Sequence, residues 1–319
     1  MDFRIAAAVL LAASSAQAAG QGPVPKPASP PAAVSSADTT KVMGARLERA
    51  ELETWLDGFL PYALAAGDIA GGVVVVVKDG AVLLQKGYGF SDVERRRLVA
   101  PDSTLFRAGS VSKLFTWTAV MQLAEEGKLD LDSDVNKYLD FVIPPYDGKP
   151  ITLRNILTHT PGFEESIRYL IGDDSTNVIP LERLMKSTLP KRVFPPGTTP
   201  AYSNYAASLA GYIVARVSGQ SFDERIEKKI FQPLGMTRST FRQPLPTELK
   251  PLMSQGYALG SGKPKPFEIV QPAPAGSVSA TGADMAKFMI AHLNGGAGIL
   301  RPETARLMHT TMLTIIPSV

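Results

Sequence analysis

Five consecutive valines, Val73 to Val77, form the feature that most limits what this chain can fold into. β-Branched side chains favour extended backbone. The turn signal Lys78-Asp79-Gly80 follows them, and a second apolar stretch runs from Ala81 to Gln85. This pattern predicts an antiparallel hairpin over Gly71 to Gly89. An uninterrupted apolar strand is typical of burial on both faces, so we expect helices to cover at least one face of the valine strand.

Helical periodicity dominates the rest of the chain. It predicts a helix from Lys41 to about Ala66, and a last helix near Asp284, which is placed as its N-cap after Gly282. Between them, helices are predicted at Val111 to Glu126, Leu153 to Leu157, Pro180 to Ser187, Tyr205 to Val217 and Asp223 to Ile230. From Leu234 to Pro274 the frequent prolines predict loops.

The N-terminus has the pattern of an exported protein. A charge at Arg4, an apolar run from Ile5 to Ala13 and the small-residue triplet Ala16-Gln17-Ala18 predict a signal peptide at residues 1–18. Pro, Ala and Ser then predict a disordered linker at residues 19–44, followed by one domain at residues 45–319. No stretch offers about 20 uninterrupted apolar residues, so we expect no stable membrane span and a periplasmic or secreted location.

Composition excludes several kinds of chemistry. The chain has no cysteine, which excludes disulfides, zinc–thiolate sites and a thiol nucleophile. The three histidines, His159, His292 and His309, do not lie at ligand spacing on one helix, so we expect no metal. A net charge of +3, spread along the chain, argues against nucleic-acid binding. The chemistry must use hydroxyl, carboxylate, amine or phenol groups, and no residue implies a cofactor.

The first candidate motif is Ser110-Val111-Ser112-Lys113. If a helix begins at Ser110, positions i and i+3 lie on one face, and the Lys113 amine reaches the Ser110 hydroxyl. The positive end of the helix dipole would favour an alkoxide there, and partial burial would lower the pKa of the lysine. Alone, this short pattern also fits a surface lysine one turn from a capping serine.

The second candidate motif is Tyr202-Ser203-Asn204, which lies between the rigid turn Phe194 to Gly197 and an apolar helix. A loop held in this way can present a phenol and an amide inward. The phenol could act as a base or a proton shuttle, and the amide could bind a substrate amide. Alone, an aromatic anchor with a helix cap is the simpler interpretation.

Together the two motifs resemble those of the serine β-lactamase and penicillin-binding protein superfamily. The likeness is strongest to its branch of class C β-lactamases, D,D-carboxypeptidases and family VIII esterases. The resemblance rests on stretches that occur in order: Phe106 to Thr116, Leu157 to Gly162, Phe194 to Gly197 with Tyr202 to Asn204, Pro233 to Met236 and Gly276 to Met285. It implies an α+β fold, with an antiparallel sheet flanked by helices and a helical subdomain.

The resemblance also implies roles for the site residues. Ser110 would be the acylated nucleophile, Lys113 its proton acceptor, Tyr202 a general base or proton relay, and Asn204 a contact for the substrate amide. We interpret His159 as structural, shaping a loop beneath the site. The substrate would be a small molecule or a peptidoglycan-derived compound: a β-lactam, a D-amino-acid peptide or an ester. The motifs do not separate these three, and they leave the oligomeric state open.

One expected element is missing from these residues. The family has a third motif, Lys-Thr-Gly or His-x-Gly, on a later strand of the sheet, and no such segment follows Gly276 to Met285. We therefore expect a chain truncated at its C-terminus that lacks C-terminal strands and is weakly active or inactive. The alternative is a non-catalytic family member that binds peptidoglycan or a partner. The presence of Ser110, Lys113, Tyr202 and Asn204 argues against this alternative.

Overall fold

The computed structural model describes residues 46–172 and 176–312. The predicted signal peptide and most of the predicted linker lie outside the described residues. The helices are α1 (Arg49–Ala66), α2 (Ser112–Glu125), α3 (Leu153–Leu157), α4 (Leu181–Ser187), α5 (Asn204–Ser218), α6 (Phe222–Ile226), α7 (Gln232–Leu234), α8 (Ala273–Gly276), α9 (Gly282–Leu293) and α10 (Pro302–Met308). The strands are β1 (Gly71–Lys78), β2 (Ala81–Asp92), β3 (Arg97–Leu98), β4 (Phe106–Arg107), β5 (Ile171–Gly172), β6 (Ser239–Thr240), β7 (Gly256–Tyr257), β8 (Pro264–Lys265), β9 (Ile269–Val270) and β10 (Ser279–Ala280).

The predicted hairpin is present as β1 and β2, which pair antiparallel from Gly71 opposite Gly89 to Lys78 opposite Ala81. Helices cover both faces of β1. Val74 and Val76 pack in the cluster under α1, whereas Val73 and Val75 face Gly282 at the start of α9. A Cβ at Gly282 would lie 2.7 Å from Val73 Cγ2, so the close approach of α9 depends on glycine.

The expected full burial of the valine strand is wrong. Every residue of β1 is half-buried, because β1 is the edge strand of the three-stranded sheet β1-β2-β3 in the described part of the chain. Covering two faces does not remove solvent from an unpaired edge.

The main core is helical and lies beside this sheet. α2 and α5 cross at its centre, and both are buried along most of their length. Phe115 of α2 stacks on Phe288 of α9 with ring centroids 4.0 Å apart, which joins the core to the helix that covers β1. The combination of small antiparallel sheets with a helical body confirms the α+β class.

The last predicted helix begins differently from the expectation. Asp284 is not its N-cap: Thr281 is, and its side chain accepts a hydrogen bond from the Asp284 backbone N–H at 3.2 Å. Asp284 is instead buried in the first turn and accepts from Ser239 Oγ at 3.0 Å. A further helix, α10, follows and was not predicted.

A second small sheet, β4-β10-β6, positions the first motif. β4 leads into a 3₁₀ turn at Gly109–Val111 and then into α2, so the helix predicted from Val111 begins at Ser112, and Ser110 lies in the turn before it. Gly109 has φ +54°, a conformation that glycine adopts without strain. Across residues 46–172 and 176–312 no helix is both long and apolar enough to cross a bilayer.

Candidate active site

Ser110 lies exposed in the 3₁₀ turn, and neighbouring backbone bonds hold this turn in place. Ala108 donates its N–H to the carbonyl of Val278 at 3.0 Å. The fully buried Ser112 hydroxyl accepts the N–H of Val278 at 3.0 Å. Both sides of the turn are therefore tied to the segment before β10, which leaves the Ser110 hydroxyl presented to solvent on a fixed backbone.

Lys113 lies one turn from Ser110 and is only 4% exposed. Its Nζ donates to Ser110 Oγ at 3.1 Å, to Asn204 Oδ1 at 2.8 Å and to the backbone carbonyl of Ala275 at 2.8 Å. Burial lowers the pKa of Lys113 to about 8, and the nearby charge of Glu165 opposes that shift. About a tenth of this amine is therefore neutral at pH 7.

The two carbonyl partners decide where the lone pair of the neutral amine points. Asn204 Oδ1 and the Ala275 carbonyl can only accept, so they take two N–H groups of Lys113. In the neutral form, the remaining position of Nζ faces Ser110 Oγ and is a lone pair. The arrangement can thus accept the proton of the Ser110 hydroxyl.

Tyr202 approaches Ser110 from the other side, and its hydroxyl donates to Ser110 Oγ at 2.5 Å. Lys113 Nζ lies 4.6 Å from the centre of the Tyr202 ring. Burial raises the pKa of the Tyr202 phenol, although its hydrogen bond to Ser110 acts in the opposite direction. Tyr202 is therefore a neutral phenol near pH 7, suited to donate a proton rather than to remove one.

His159 supports this phenol from below. Its ring stacks on the ring of Tyr202 at 4.7 Å between centroids, and its Nδ1 accepts the N–H of Ser203 at 3.3 Å. Its carbonyl accepts the N–H of Ala201 at 2.7 Å. Burial, with Lys113 nearby, lowers the pKa of His159 to about 4, so the imidazole is neutral. These contacts agree with the structural role expected of it.

Asn204 begins α5 beside the N-cap Ser203. Its Oδ1 accepts from Lys113, and its Nδ2 donates to Glu165 Oε1 at 2.8 Å. Its backbone N–H donates to Glu165 Oε2 at 3.0 Å. The Oδ1 of Asn204 and one of its two Nδ2 N–H groups are therefore bound to protein groups.

Glu165 was not singled out from the sequence. It follows the Leu157 to Gly162 stretch in a loop, 39 positions before its partner Asn204. The adjacent carboxylates Glu164 and Glu165, one residue after that stretch, were the available signal. Thus the structure brings together all four predicted site residues and adds a carboxylate to them.

A glycine keeps the two loops of the site together. Gly162 has φ +82°, and a Cβ there would overlap the carbonyl oxygen of Phe194. Gly162 in turn accepts the N–H of Val193 at 2.7 Å. The loop that carries His159 and the loop that carries Tyr202 are thereby joined by backbone contacts. In the described ranges no group of three or more His, Asp or Glu side chains is arranged to hold a metal ion.

Comparisons with known proteins give a consistent result. The family model described as Beta-lactamase matches residues 41–316. The putative penicillin-binding protein PbpX of Bacillus subtilis strain 168 is 32% identical over 232 residues, which are 70% of this chain and 55% of PbpX. The chain spans 38% to 55% of the length of the curated relatives it matches.

Two solved structures are similar as well. The octameric penicillin-binding protein homologue from Pyrococcus abyssi matches with a TM-score of 0.70 and 30% identity, over 84% of this chain and 62% of that one. The D-alanine carboxypeptidase AmpC from Burkholderia cenocepacia matches with a TM-score of 0.65 and 28% identity, over 81% of this chain and 68% of that one.

Proposed function

Since the chain belongs to the beta-lactamase family, we propose that it acts as a serine hydrolase whose nucleophile is Ser110. One observation carries the proposal: the Lys113 amine and the Tyr202 hydroxyl converge on the same Ser110 oxygen, at 3.1 and 2.5 Å. A nucleophilic hydroxyl with a base and a proton donor within hydrogen-bond reach is the arrangement that acyl transfer needs.

The proposed reaction begins with attack of Ser110 Oγ on the substrate carbonyl carbon. As the O–C bond forms, the hydroxyl proton moves to neutral Lys113. The bond to the leaving group then breaks, and the leaving group takes up a proton that passes from Lys113 through the Tyr202 hydroxyl. In the second half, water adds to the acyl carbon and gives a proton back to the same pair. Ser110 departs with its own proton restored.

The two candidate bases differ in a way that assigns their roles. Burial lowers the pKa of Lys113 to about 8 but raises the pKa of Tyr202. At neutral pH the amine is therefore the stronger candidate for the base, and the phenol is the relay. The expected choice for Tyr202, general base or proton relay, becomes the relay in this proposal.

Active-site labelling tests the nucleophile. Purified protein is incubated with a fluorophosphonate or a fluorescent penicillin, and the adduct is mapped by peptide mass spectrometry. The proposal expects a single adduct on Ser110, absent in Ser110→Ala. An adduct spread over several serines, or labelling that survives Ser110→Ala, would refute it and favour a non-catalytic binding role.

The substrate class is a separate proposal: a β-lactam, a D-amino-acid peptide or an ester. The names of PbpX and of the carboxypeptidase structure support the first two classes. Parallel assays with a chromogenic cephalosporin, a D-alanyl-D-alanine peptide and a short p-nitrophenyl ester distinguish them. The class with the largest Ser110-dependent kcat/KM identifies the substrate.

We also propose that a polypeptide of these 319 residues turns its substrate over slowly. None of its three histidines has Gly two residues later, and Lys-Thr-Gly does not occur. In this family the strand that carries the third motif supplies a backbone N–H to the oxyanion hole. Loss of one such donor typically lowers the rate by on the order of a hundred- to a thousandfold. Rapid turnover by this polypeptide would refute the proposal.

Export is proposed from residues 1–18. The test is expression of the full sequence in a Gram-negative host, followed by N-terminal sequencing of protein from the periplasm. A mature N-terminus just after Ala18 would support cleavage there, and retention of the leader in the cytoplasm would contradict it.

A further inference from the structure

Glu165 is an exposed charged group beside Asn204 that the proposed reaction does not use. Its side chain is exposed on the loop after Phe163, and both of its oxygens accept hydrogen bonds from Asn204. A chain of three hydrogen bonds joins it to the nucleophile, from Glu165 through Asn204 and Lys113 to Ser110. The carboxylate is thus held in place beside the reacting groups.

The charge of Glu165 reaches the catalytic groups. It acts to raise the pKa of Lys113 and also that of Tyr202, although burial is the larger cause in both. Within the described residues, no other carboxylate shifts the pKa of Lys113 or Tyr202 through its charge. A substrate entering this site therefore meets a fixed negative charge.

The hydrogen bonds of Asn204 determine what can bind next to it. Its Oδ1 accepts from Lys113 and one of the two Nδ2 N–H groups donates to Glu165, so the amide keeps one N–H for an incoming carbonyl. Glu165 beside it is exposed and has unused acceptor capacity, because each carboxylate oxygen can accept more than one hydrogen bond. The complementary ligand is a cation that can donate hydrogen bonds or pair electrostatically.

We propose that Glu165 is a specificity-determining residue that selects acyl donors carrying a positively charged nitrogen close to the scissile carbonyl. The inference rests on the proposed function, since it concerns the same acyl-transfer site. We assign the cation to the acyl group because that part of the substrate stays bonded to Ser110 through both halves of the reaction. An ion pair formed there can act on both transition states.

The solvent exposure of Glu165 sets the size of the expected preference in kcat/KM. A partly solvated ion pair is worth about a three- to tenfold change in kcat/KM, and like charges reduce kcat/KM by a similar factor. A cationic acyl donor should therefore exceed a matched anionic one by about 10- to 100-fold. Salt should reduce the difference, because exposed charges are screened.

The test uses three p-nitrophenyl esters with the same leaving group and similar acyl length. They are the neutral butyrate, the cationic 4-(trimethylammonio)butyrate and the anionic glutarate monoester. kcat/KM is measured from p-nitrophenol release by the 319-residue protein, and each value is divided by the uncatalysed hydrolysis rate of the same ester. Wild type should prefer the cationic ester, and 0.5 M NaCl should reduce that preference.

Glu165→Gln should remove most of the preference, since it removes the charge. Glu164→Gln is the matched control: it removes the same charge one residue earlier, where the exposed carboxylate makes no hydrogen bond or ion pair within the described ranges. It should keep the preference.

Three outcomes would overturn the inference. They are no preference in wild type, a preference that Glu165→Gln leaves intact, and equal losses in both variants. The wild-type preference and its salt dependence remain decisive if Glu165→Gln does not fold. Release that is identical in wild type and Ser110→Ala would instead refute the proposed function, and the inference with it. Ser110-dependent release without a charge preference refutes the inference alone.

Discussion

The most informative prediction concerns how acylation of Ser110 depends on pH. Only the neutral amine of Lys113 can take the hydroxyl proton, and burial lowers its pKa to about 8. About a tenth of the amine is then neutral at pH 7 and about nine tenths at pH 9. The acylation rate with a neutral ester should therefore rise about tenfold between these values and become constant above about pH 9.

Two other schemes give a different curve. A lysine with an ordinary pKa, or Tyr202 acting as the base with its raised pKa, would let the rate climb about tenfold per unit as far as pH 10. The assay is the initial release of p-nitrophenol from p-nitrophenyl butyrate between pH 6 and 10. The rate with Ser110→Ala is subtracted at each pH to remove hydrolysis by hydroxide.

Lys113→Met is the matched perturbation, because it keeps a long apolar stem and removes the amine. Loss of the base should reduce the rate by about 10²- to 10⁴-fold and flatten the profile. The variant leaves Asn204 Oδ1 and the Ala275 carbonyl without a donor, so circular dichroism must show that it is folded. A wild-type rate that still climbs at pH 10, or an unchanged profile in Lys113→Met, would refute the reasoning.

Three further predictions follow from single contacts. Tyr202→Phe removes the hydroxyl that donates to Ser110 and should slow p-nitrophenol release about 100-fold, while the midpoint of the pH–rate profile stays near pH 8. A variant that releases p-nitrophenol at the wild-type rate would exclude Tyr202 as the proton relay. Gly162→Ala should lower the free energy of unfolding in urea by at least about 2 kcal/mol more than Gly148→Ala. Both glycines have positive φ, but a Cβ would meet backbone only at Gly162, so equal losses would contradict the argument. Burial lowers the pKa of His292 in the folded protein to about 4. In the unfolded chain the imidazole binds a proton already near pH 6.5, so the free energy of unfolding decreases as pH falls from about 6.5 to 4. His292→Gln should reduce that loss by up to about 2 kcal/mol in urea titrations at pH 7 and 4.5, and parallel losses in both proteins would contradict it.

The features that local sequence patterns encode were predicted well. The hairpin turn at Asp79-Gly80 and the bounds of α3 (Leu153–Leu157) follow from turn chemistry and apolar spacing, which act over a few residues. The α+β class, which the family resemblance implied, is confirmed as well. The four residues of the two motifs lie together in the structure, and their chemical roles stay predictions.

Features that depend on tertiary neighbours were predicted less well. The valine strand has the composition of a buried strand, but burial is decided by what pairs with its edge. Thr281 and Asp284 are both good N-cap residues, and the contact of Asp284 with Ser239 selects between them. Glu165 reaches Asn204 only through the fold, so the adjacent carboxylates Glu164 and Glu165 could mark a candidate but could not show which of them joins the site.

The contact between Lys113 and the Ala275 carbonyl has a consequence for folding. The two residues are 162 positions apart, so this contact closes a loop that spans about half of the chain. The β4–β10 pairing that supports the Ser110 turn spans a similar separation. Helices such as α2 can form early from local contacts, but the proposed nucleophile would become reactive only when these distant segments meet. Recovery of Ser110 labelling during refolding should therefore lag behind recovery of helical circular dichroism, which would make Ser110 a covalent reporter of a late stage of folding.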